Sequence, residues 1–132
     1  MLGKIISWKS MVIFDTNAIL RLILRDNLAM VEEVKKQLSC ELCFIPVEVV
    51  AEIVYVMSKV YRVERNVIAK TITDISKVRN ITVAQNTVVL HALRVYASSA
   101  LDFVDCLLIG YAKEGKYTIF TFDKKLRKFL KE

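Results

Sequence analysis

The sequence predicts a single α/β domain, a three-layer α/β/α arrangement with a short, mostly parallel sheet of about four or five strands. Short apolar runs alternate with longer helical patterns along the chain, and no hairpin signal joins any two of the runs. The chain of 132 residues suits one domain, and its 55% hydrophobic content with three glycines and one proline excludes a disordered tail.

The first strand is predicted at residues 11–14, because a short apolar run ends there at Asp15-Thr16-Asn17, a sequence that favours a turn and a helix start. Two helices and a second strand follow, at residues 18–24, 28–38 and 42–45. Pro46 falls where the first residue of a helix belongs, so a long and largely buried helix is predicted over residues 47–60.

The second half continues the same alternation. An amphipathic helix, a short strand and a further helix are predicted next, at residues 64–78, 81–83 and 87–97. Asp102 opens a helix that closes near Gly115, which we expect in the left-handed conformation typical of helix C-termini. Alternating side chains predict a fourth strand over residues 117–122, and residues 124–131 form a basic terminal helix.

The mean hydropathy of +0.39 is high, so a membrane-spanning segment has to be considered. The longest stretch without Asp, Glu, Lys or Arg is residues 80–93, which is shorter than the roughly 18 apolar residues that a span requires. Residues 1–8 are too short for a secretory signal. We therefore expect a cytoplasmic protein without a membrane partner, whose surplus apolar surface covers a second subunit in a homodimer.

Three cysteines, Cys40, Cys43 and Cys106, make an odd count, as expected in a reducing compartment. The spacing of Cys40 and Cys43 is that of half a zinc site or a redox pair. However, His91 is the only histidine and there is no second cysteine pair, so we predict buried, unreactive thiols.

Four acidic residues, Asp15, Glu52, Asp105 and Asp123, lie within apolar sequence, where an unpaired carboxylate would be costly to desolvate. Each has a possible structural role. Asp15 and Asp123 could cap the helices that follow them, Asp102 could cap the next helix, and Asp105 could complement its dipole. Glu52 could form an ion pair with an arginine.

Taken together, the acids favour a metal site. Asp15 and Asp123 end predicted strands, at the sheet edge where open parallel sheets bind ligands. Asp102 and Asp105 are three residues apart and share one helix face. Such carboxylates would repel one another without a counter-ion, and a hard cation such as Mg²⁺ or Mn²⁺ takes oxygen ligands.

Four segments carry a resemblance to a known family: Val12-Ile13-Phe14-Asp15-Thr16-Asn17, Pro46-Val47-Glu48-Val49-Val50-Ala51-Glu52, Leu101-Asp102-Phe103-Val104-Asp105 and Thr118-Ile119-Phe120-Thr121-Phe122-Asp123. In this order they resemble PIN-domain proteins, in particular the VapC-type ribonuclease toxins of toxin–antitoxin pairs. The resemblance runs from Met11 to the end of the chain. Residues 11–132 are therefore predicted to form a PIN-like domain. Residues 1–10 are an N-terminal extension whose status the sequence leaves open, Met11 being an alternative initiator.

The resemblance implies a Mg²⁺- or Mn²⁺-dependent endoribonuclease that hydrolyses RNA phosphodiesters with metal-activated water and pairs with a small antitoxin protein. The implied catalytic and metal-binding residues are Asp15, Glu52, Asp105 and Asp123. Asp102 would be an accessory acid, and Asn17 and Thr121 would orient the carboxylates.

The net charge of +6 is unevenly distributed, because seven of the cations lie in the last 20 residues. Four of them follow Asp123 closely and are predicted to bind RNA: Lys124, Lys125, Arg127 and Lys128. A solubilising helix end, favoured by its own dipole, is the structural alternative for each of these side chains.

Three other functions remain open at this stage. The first is an RNA-processing nuclease of the same fold that has no antitoxin, and the second is a non-catalytic binding module of that fold. The third, a receiver-like phosphoacceptor domain, also places acids at strand ends, but it requires an adjacent acid pair that Asp15-Thr16-Asn17 does not supply.

Overall fold

The structure is a computed structural model that describes residues 11–132, so the predicted extension at residues 1–10 lies outside the described residues. Three strands alternate with seven helices over this range. Their bounds are β1 Met11–Ile13, α1 Thr16–Leu24, α2 Leu28–Cys40, β2 Leu42–Ile45, α3 Val47–Lys59, α4 Arg65–Ser76, β3 Ile81–Val83, α5 Asn86–Ser98, α6 Phe103–Glu114 and α7 Lys124–Lys131.

The three strands form one parallel sheet in the order β1-β2-β3. Val12 lies opposite Cys43, and Cys43 lies opposite Ile81, so the central strand is hydrogen-bonded on both sides. Each connection between neighbouring strands contains two helices, as a parallel pair requires a long crossover. The predicted α/β class with a parallel sheet is confirmed.

The predicted count of four or five strands is wrong for the described residues, which contain three. Residues 117–122 form no strand and have no described sheet partner. Phe120 and Phe122 are 84% and 80% exposed, and their rings contact each other at a centroid distance of 5.2 Å. Alternation of side chains is a local pattern, whereas a strand also requires a neighbour that accepts and donates its backbone hydrogen bonds.

Helix boundaries lie within a few residues of their predicted positions. α1 begins at Thr16 rather than Ala18. Gly115 was expected in the left-handed conformation, but its φ is −93° and the positive φ of 61° belongs to Lys116. Gly115 is suited to its place for a different reason: an added Cβ would lie 2.9 Å from the carbonyl oxygen of Tyr111 and 2.9 Å from ring carbons of Tyr117.

The buried apolar side chains of residues 11–132 form one core between the sheet and the helices, and α5 and α6 meet in it at very short range. A Cβ at Gly110 of α6 would lie 2.6 Å from the backbone carbonyl oxygen of Val88 in α5, a distance that real Cβ atoms do not reach. The absence of a side chain at Gly110 therefore sets how closely these two helices approach.

Two of the three cysteines belong to this core. Burial raises the pKa of the Cys43 and Cys106 thiols to about 11, so both are unreactive near neutral pH. The prediction of a buried thiol is wrong for Cys40, because Cys40 is the last residue of α2 and is exposed. Across residues 11–132, no helix is both long and apolar enough to cross a bilayer.

Candidate active site

The four predicted site acids are placed by four different elements. Asp15 directly precedes α1, Glu52 lies in α3, Asp105 lies in the first turn of α6, and Asp123 directly precedes α7. Asp105 is half-buried and the other three are exposed. Their apolar sequence neighbours therefore reflect the core side of each element, while the carboxylates themselves reach solvent.

Asp15 and Asp123 are both N-caps. An Asp15 Oδ1 atom accepts a hydrogen bond from the backbone N–H of Ala18 at 2.9 Å, and Asp123 Oδ1 accepts one from Leu126 at 3.0 Å. The structural alternative is thus confirmed for both residues. Capping uses one carboxylate oxygen in each case, and the second oxygen has no described hydrogen-bond partner within residues 11–132.

Glu52 accepts a hydrogen bond from the hydroxyl group of Thr16. Thr16 is 9% exposed and is the first residue of α1, so this bond joins the start of α1 to the middle of α3. The alternative of an ion pair between Glu52 and an arginine is wrong for the described part of the chain, where Glu52 has no ion pair. Thr16 was absent from the predicted site, although its position next to Asp15 is a signal that could have identified it.

Asp102 and Asp105 lie at the start of α6, and neither is neutralised by an ion pair within the described residues. Asp102 occupies the N-cap position but makes no capping hydrogen bond through its side chain, so its predicted capping role is wrong. Burial raises the pKa of Asp105, and the charges of Asp123 and Asp102 raise it further. Residues from α6 and from the start of α7 are therefore close enough to repel each other electrically.

This donor set matches the chemistry of a hard divalent cation, which takes carboxylate and water oxygens. The repulsion that raises the pKa of Asp105 is also relieved by a cation. The acids are not gathered tightly, however. Among residues 11–132, no group of three or more His, Cys, Asp or Glu side chains is placed closely enough to hold a metal ion.

The two polar residues predicted to orient the acids differ in their contacts. The hydroxyl oxygen of Thr121 accepts a hydrogen bond from the backbone N–H of Asp123 at 3.0 Å, and Arg127 Nε donates to the Thr121 carbonyl at 2.7 Å. Thr121 thus fixes the backbone that leads into Asp123. Asn17 is exposed, and its side chain makes no hydrogen bond within the part of the chain that the structure describes.

The predicted RNA-binding cations all lie on α7. Its apolar side is anchored by Leu126, which is 2% exposed, while the basic side faces solvent. Every member of the predicted set is exposed: Lys124, Lys125, Arg127 and Lys128. Because Asp123 caps this helix, the basic surface of α7 begins directly beside one of the candidate acids.

The family model described as PIN domain matches residues 12–131 of the chain. The chain belongs to the PIN-domain family. PIN domains are usually nucleases, which are hydrolases of phosphodiester bonds, and they typically use divalent metals. Comparison of this PIN-domain chain with curated proteins and with solved structures gave no significant match.

Proposed function

We propose that this PIN-domain protein is a Mg²⁺- or Mn²⁺-dependent endoribonuclease that acts as the toxin of a toxin–antitoxin pair. The observation that carries the proposal is the match of the PIN-domain family model to residues 12–131, because PIN domains are usually nucleases that use divalent metals. The pKa of Asp105 supports it, since burial and the charges of Asp123 and Asp102 raise this pKa and none of the three acids forms an ion pair within the described residues. Such repulsion costs stability unless a ligand offsets it, and a divalent cation is the simplest such ligand.

The residues that would hold the cation are Asp15, Glu52, Asp105 and Asp123, with Asp102 as an accessory acid. When bound, a divalent ion lowers the pKa of water and offsets negative charge on the scissile phosphate.

The chain itself supplies the positioning. Thr16 holds the Glu52 carboxylate by a hydrogen bond, and the capping bonds of Asp15 and Asp123 fix one oxygen of each. The other oxygen of each capping acid has no hydrogen-bond partner within residues 11–132 and remains available for a ligand. Thr121 fixes the backbone N–H of Asp123 and so limits the directions in which that carboxylate can point.

The basic surface of α7 supports an RNA substrate. Exposed cations beside the acids would bind the phosphates that flank the cleaved bond, through contacts that release counter-ions. Binding through such contacts weakens steeply with salt. For a single strand, each phosphate contact contributes about −0.7 to the slope of log affinity against log salt concentration. A flat salt response would contradict this part of the proposal.

Cleavage of a generic single-stranded RNA in Mn²⁺ tests the proposed activity. We expect cleavage by the wild type, none in EDTA, and a loss of roughly 100-fold or more for Asp105→Asn. Asp74→Asn is the matched control, since Asp74 is an exposed acid paired with Lys70 and lies in α4. Undiminished cleavage by Asp105→Asn would exclude the proposed site.

A non-catalytic binding module is favoured by one observation, namely that the described acids are not gathered at metal-binding distance. The same assay separates the two functions. RNA binding without cleavage in Mg²⁺ or Mn²⁺ would identify the binding module.

The toxin role and the nuclease role need separate tests. A toxin should arrest growth when it is expressed alone, and co-expression of a small protein encoded beside it should restore growth. A nuclease without an antitoxin should neither arrest growth nor be counteracted by a small protein encoded beside it.

We also propose a homodimer, supported by large exposed apolar side chains such as Leu28 and Val60, which are 71% and 62% exposed. Light scattering of the purified protein tests this.

A further inference from the structure

A cavity of about 670 Å³ lies beside the candidate acids, between α3, the start of α4, the end of α5 and the start of α6. This volume falls within the roughly 300–1,000 Å³ that small-molecule sites usually occupy. Asp102 and Asp105 line one part of it, and Lys59 and Arg65 line another. The cavity therefore combines carboxylates with cations rather than presenting a uniformly apolar wall.

One stripe of α3 forms a wall of this cavity. Ala51, Tyr55, Ser58 and Lys59 recur at helical spacing and line it, while the opposite face of α3 is buried in the core. Tyr55 is 62% exposed, so its ring is accessible from solvent. Tyr55 also lies three residues after Glu52, which places the two side chains as neighbours on the helix surface.

Two hydrogen bonds and one ring contact hold Arg65 at the cavity. Its Nε atom donates to the carbonyl oxygen of Tyr96 at 2.8 Å, Nη2 donates to the carbonyl oxygen of Leu101, and its guanidinium carbon lies 3.7 Å from the centroid of the Tyr96 ring. Three of the five guanidinium N–H donors have no partner within the described residues. Neither Arg65 nor Lys59 forms an ion pair in residues 11–132, so both positive charges remain available to an anionic ligand.

A ligand that fits these walls needs a flat aromatic face for Tyr55 and a negative charge for the two cations. A nucleotide of single-stranded RNA carries both, and stacking of bases on aromatic side chains beside cations is a common mode of binding to single strands. We propose that the cavity is a nucleotide subsite, with one base against Tyr55 and the adjoining phosphate at Lys59 and Arg65. This inference rests on the proposed nuclease function, because it places the bound strand next to Asp102 and Asp105.

The test measures binding in EDTA, where cleavage is absent. A fluorescein-labelled RNA of five nucleotides is titrated with the full chain, and fluorescence anisotropy gives the affinity. Tyr55→Leu should weaken binding by roughly 5- to 150-fold, the range that corresponds to loss of one stacked base, while Tyr55→Phe should bind like the wild type. Tyr117→Leu is the matched control, because Tyr117 is 63% exposed and lies outside the cavity.

The phosphate contact is tested by salt dependence. Lys59→Met should reduce the slope of log affinity against log salt by about 0.7, as expected for one phosphate contact on a single strand. Lys36→Met, which removes an exposed cation of α2 that forms no ion pair within residues 11–132, should leave the slope unchanged. Equal effects of the two lysine variants, or equal effects of Tyr55→Leu and Tyr117→Leu, would overturn the subsite.

Photocross-linking gives a result that does not depend on the folding of any variant. RNA containing 5-bromouridine should cross-link to the wild type in a peptide that contains Tyr55. Cross-links confined to residues 124–131 would overturn the subsite. The subsite would also be overturned if the protein bound polyglutamate more tightly than RNA and Tyr55→Leu bound polyglutamate as well as the wild type does.

The two proposals fail in different ways. If the wild type binds RNA through Tyr55 but never cleaves it, the subsite stands and the nuclease function is rejected. If Tyr55→Leu binds and cleaves like the wild type, the nuclease function stands and the subsite is rejected.

Discussion

Asp15 has a structural role and a proposed chemical role, and two substitutions separate them. Asn accepts the same capping hydrogen bond as Asp, so Asp15→Asn should preserve the bond to the N–H of Ala18, which is 2.9 Å long in the wild type. Asp15→Ala removes the acceptor and should cost about 1 kcal/mol of unfolding free energy. For a chain of this size that corresponds to a fall of roughly 3–5 °C in melting temperature.

RNA cleavage should respond to the two substitutions differently from thermal stability. Asp15→Asn removes the negative charge that a divalent cation would need, so cleavage of RNA in Mn²⁺ should be lost in both variants although only Asp15→Ala melts early. Thermal unfolding and a cleavage time course on the same preparations measure both effects. Equal destabilisation by Asn and Ala would refute the capping argument, and robust cleavage by Asp15→Asn would refute the catalytic assignment.

Three further predictions concern the same group of acids. Thr16→Val removes the hydroxyl group that donates to Glu52. It should lower the unfolding free energy in urea by about 1 kcal/mol and weaken Mn²⁺ binding by roughly 10- to 100-fold. An unchanged Mn²⁺ affinity would contradict the positioning role of Thr16. Asp102→Asn should lower the pKa of Asp105 in an NMR titration, since Asp102 contributes to raising it after burial and Asp123. A carboxyl group whose pKa is raised by folding stabilises the protein at low pH, and this stabilisation is lost as the pH rises through the pKa of the folded state. The loss of unfolding free energy with rising pH should therefore be smaller in Asp102→Asn than in the wild type. Mn²⁺ at a hundred times its dissociation constant should stabilise the wild type by about 2.7 kcal/mol in a thermal melt, and an unchanged melting temperature would argue against a metal site.

The first three strands and the helices could be predicted because their signals are local. Apolar runs, helical spacing and cap residues are properties of a few neighbouring positions, and Leu42–Ile45 and Ile81–Val83 are found where they were predicted. The fourth strand is different. Residues 117–122 have the alternation of a strand, yet they pair with no described neighbour, and no local pattern reports whether a partner is present.

The candidate site shows the same division between local and distant information. The caps at Asp15 and Asp123 involve residues three positions apart, so the sequence alone predicted them. The bond between Thr16 and Glu52 joins residues 36 positions apart, and only the packing of α1 on α3 brings them together. The cavity at Arg65 likewise depends on four helices, and none of its cations stood out in the sequence.

The position of Asp105 depends on Gly110, because both residues lie on α6 and Gly110 sets how closely this helix approaches α5. The two residues lie five positions apart on α6, about 7.5 Å along its axis. A methyl group at position 110 would meet the Val88 carbonyl oxygen at 2.6 Å, so α6 would have to move away from α5. Reacting groups tolerate displacements of only about 0.5 Å. If Asp105 acts as proposed, the spacing of two helices at a buried position with no chemistry of its own would influence the rate of cleavage.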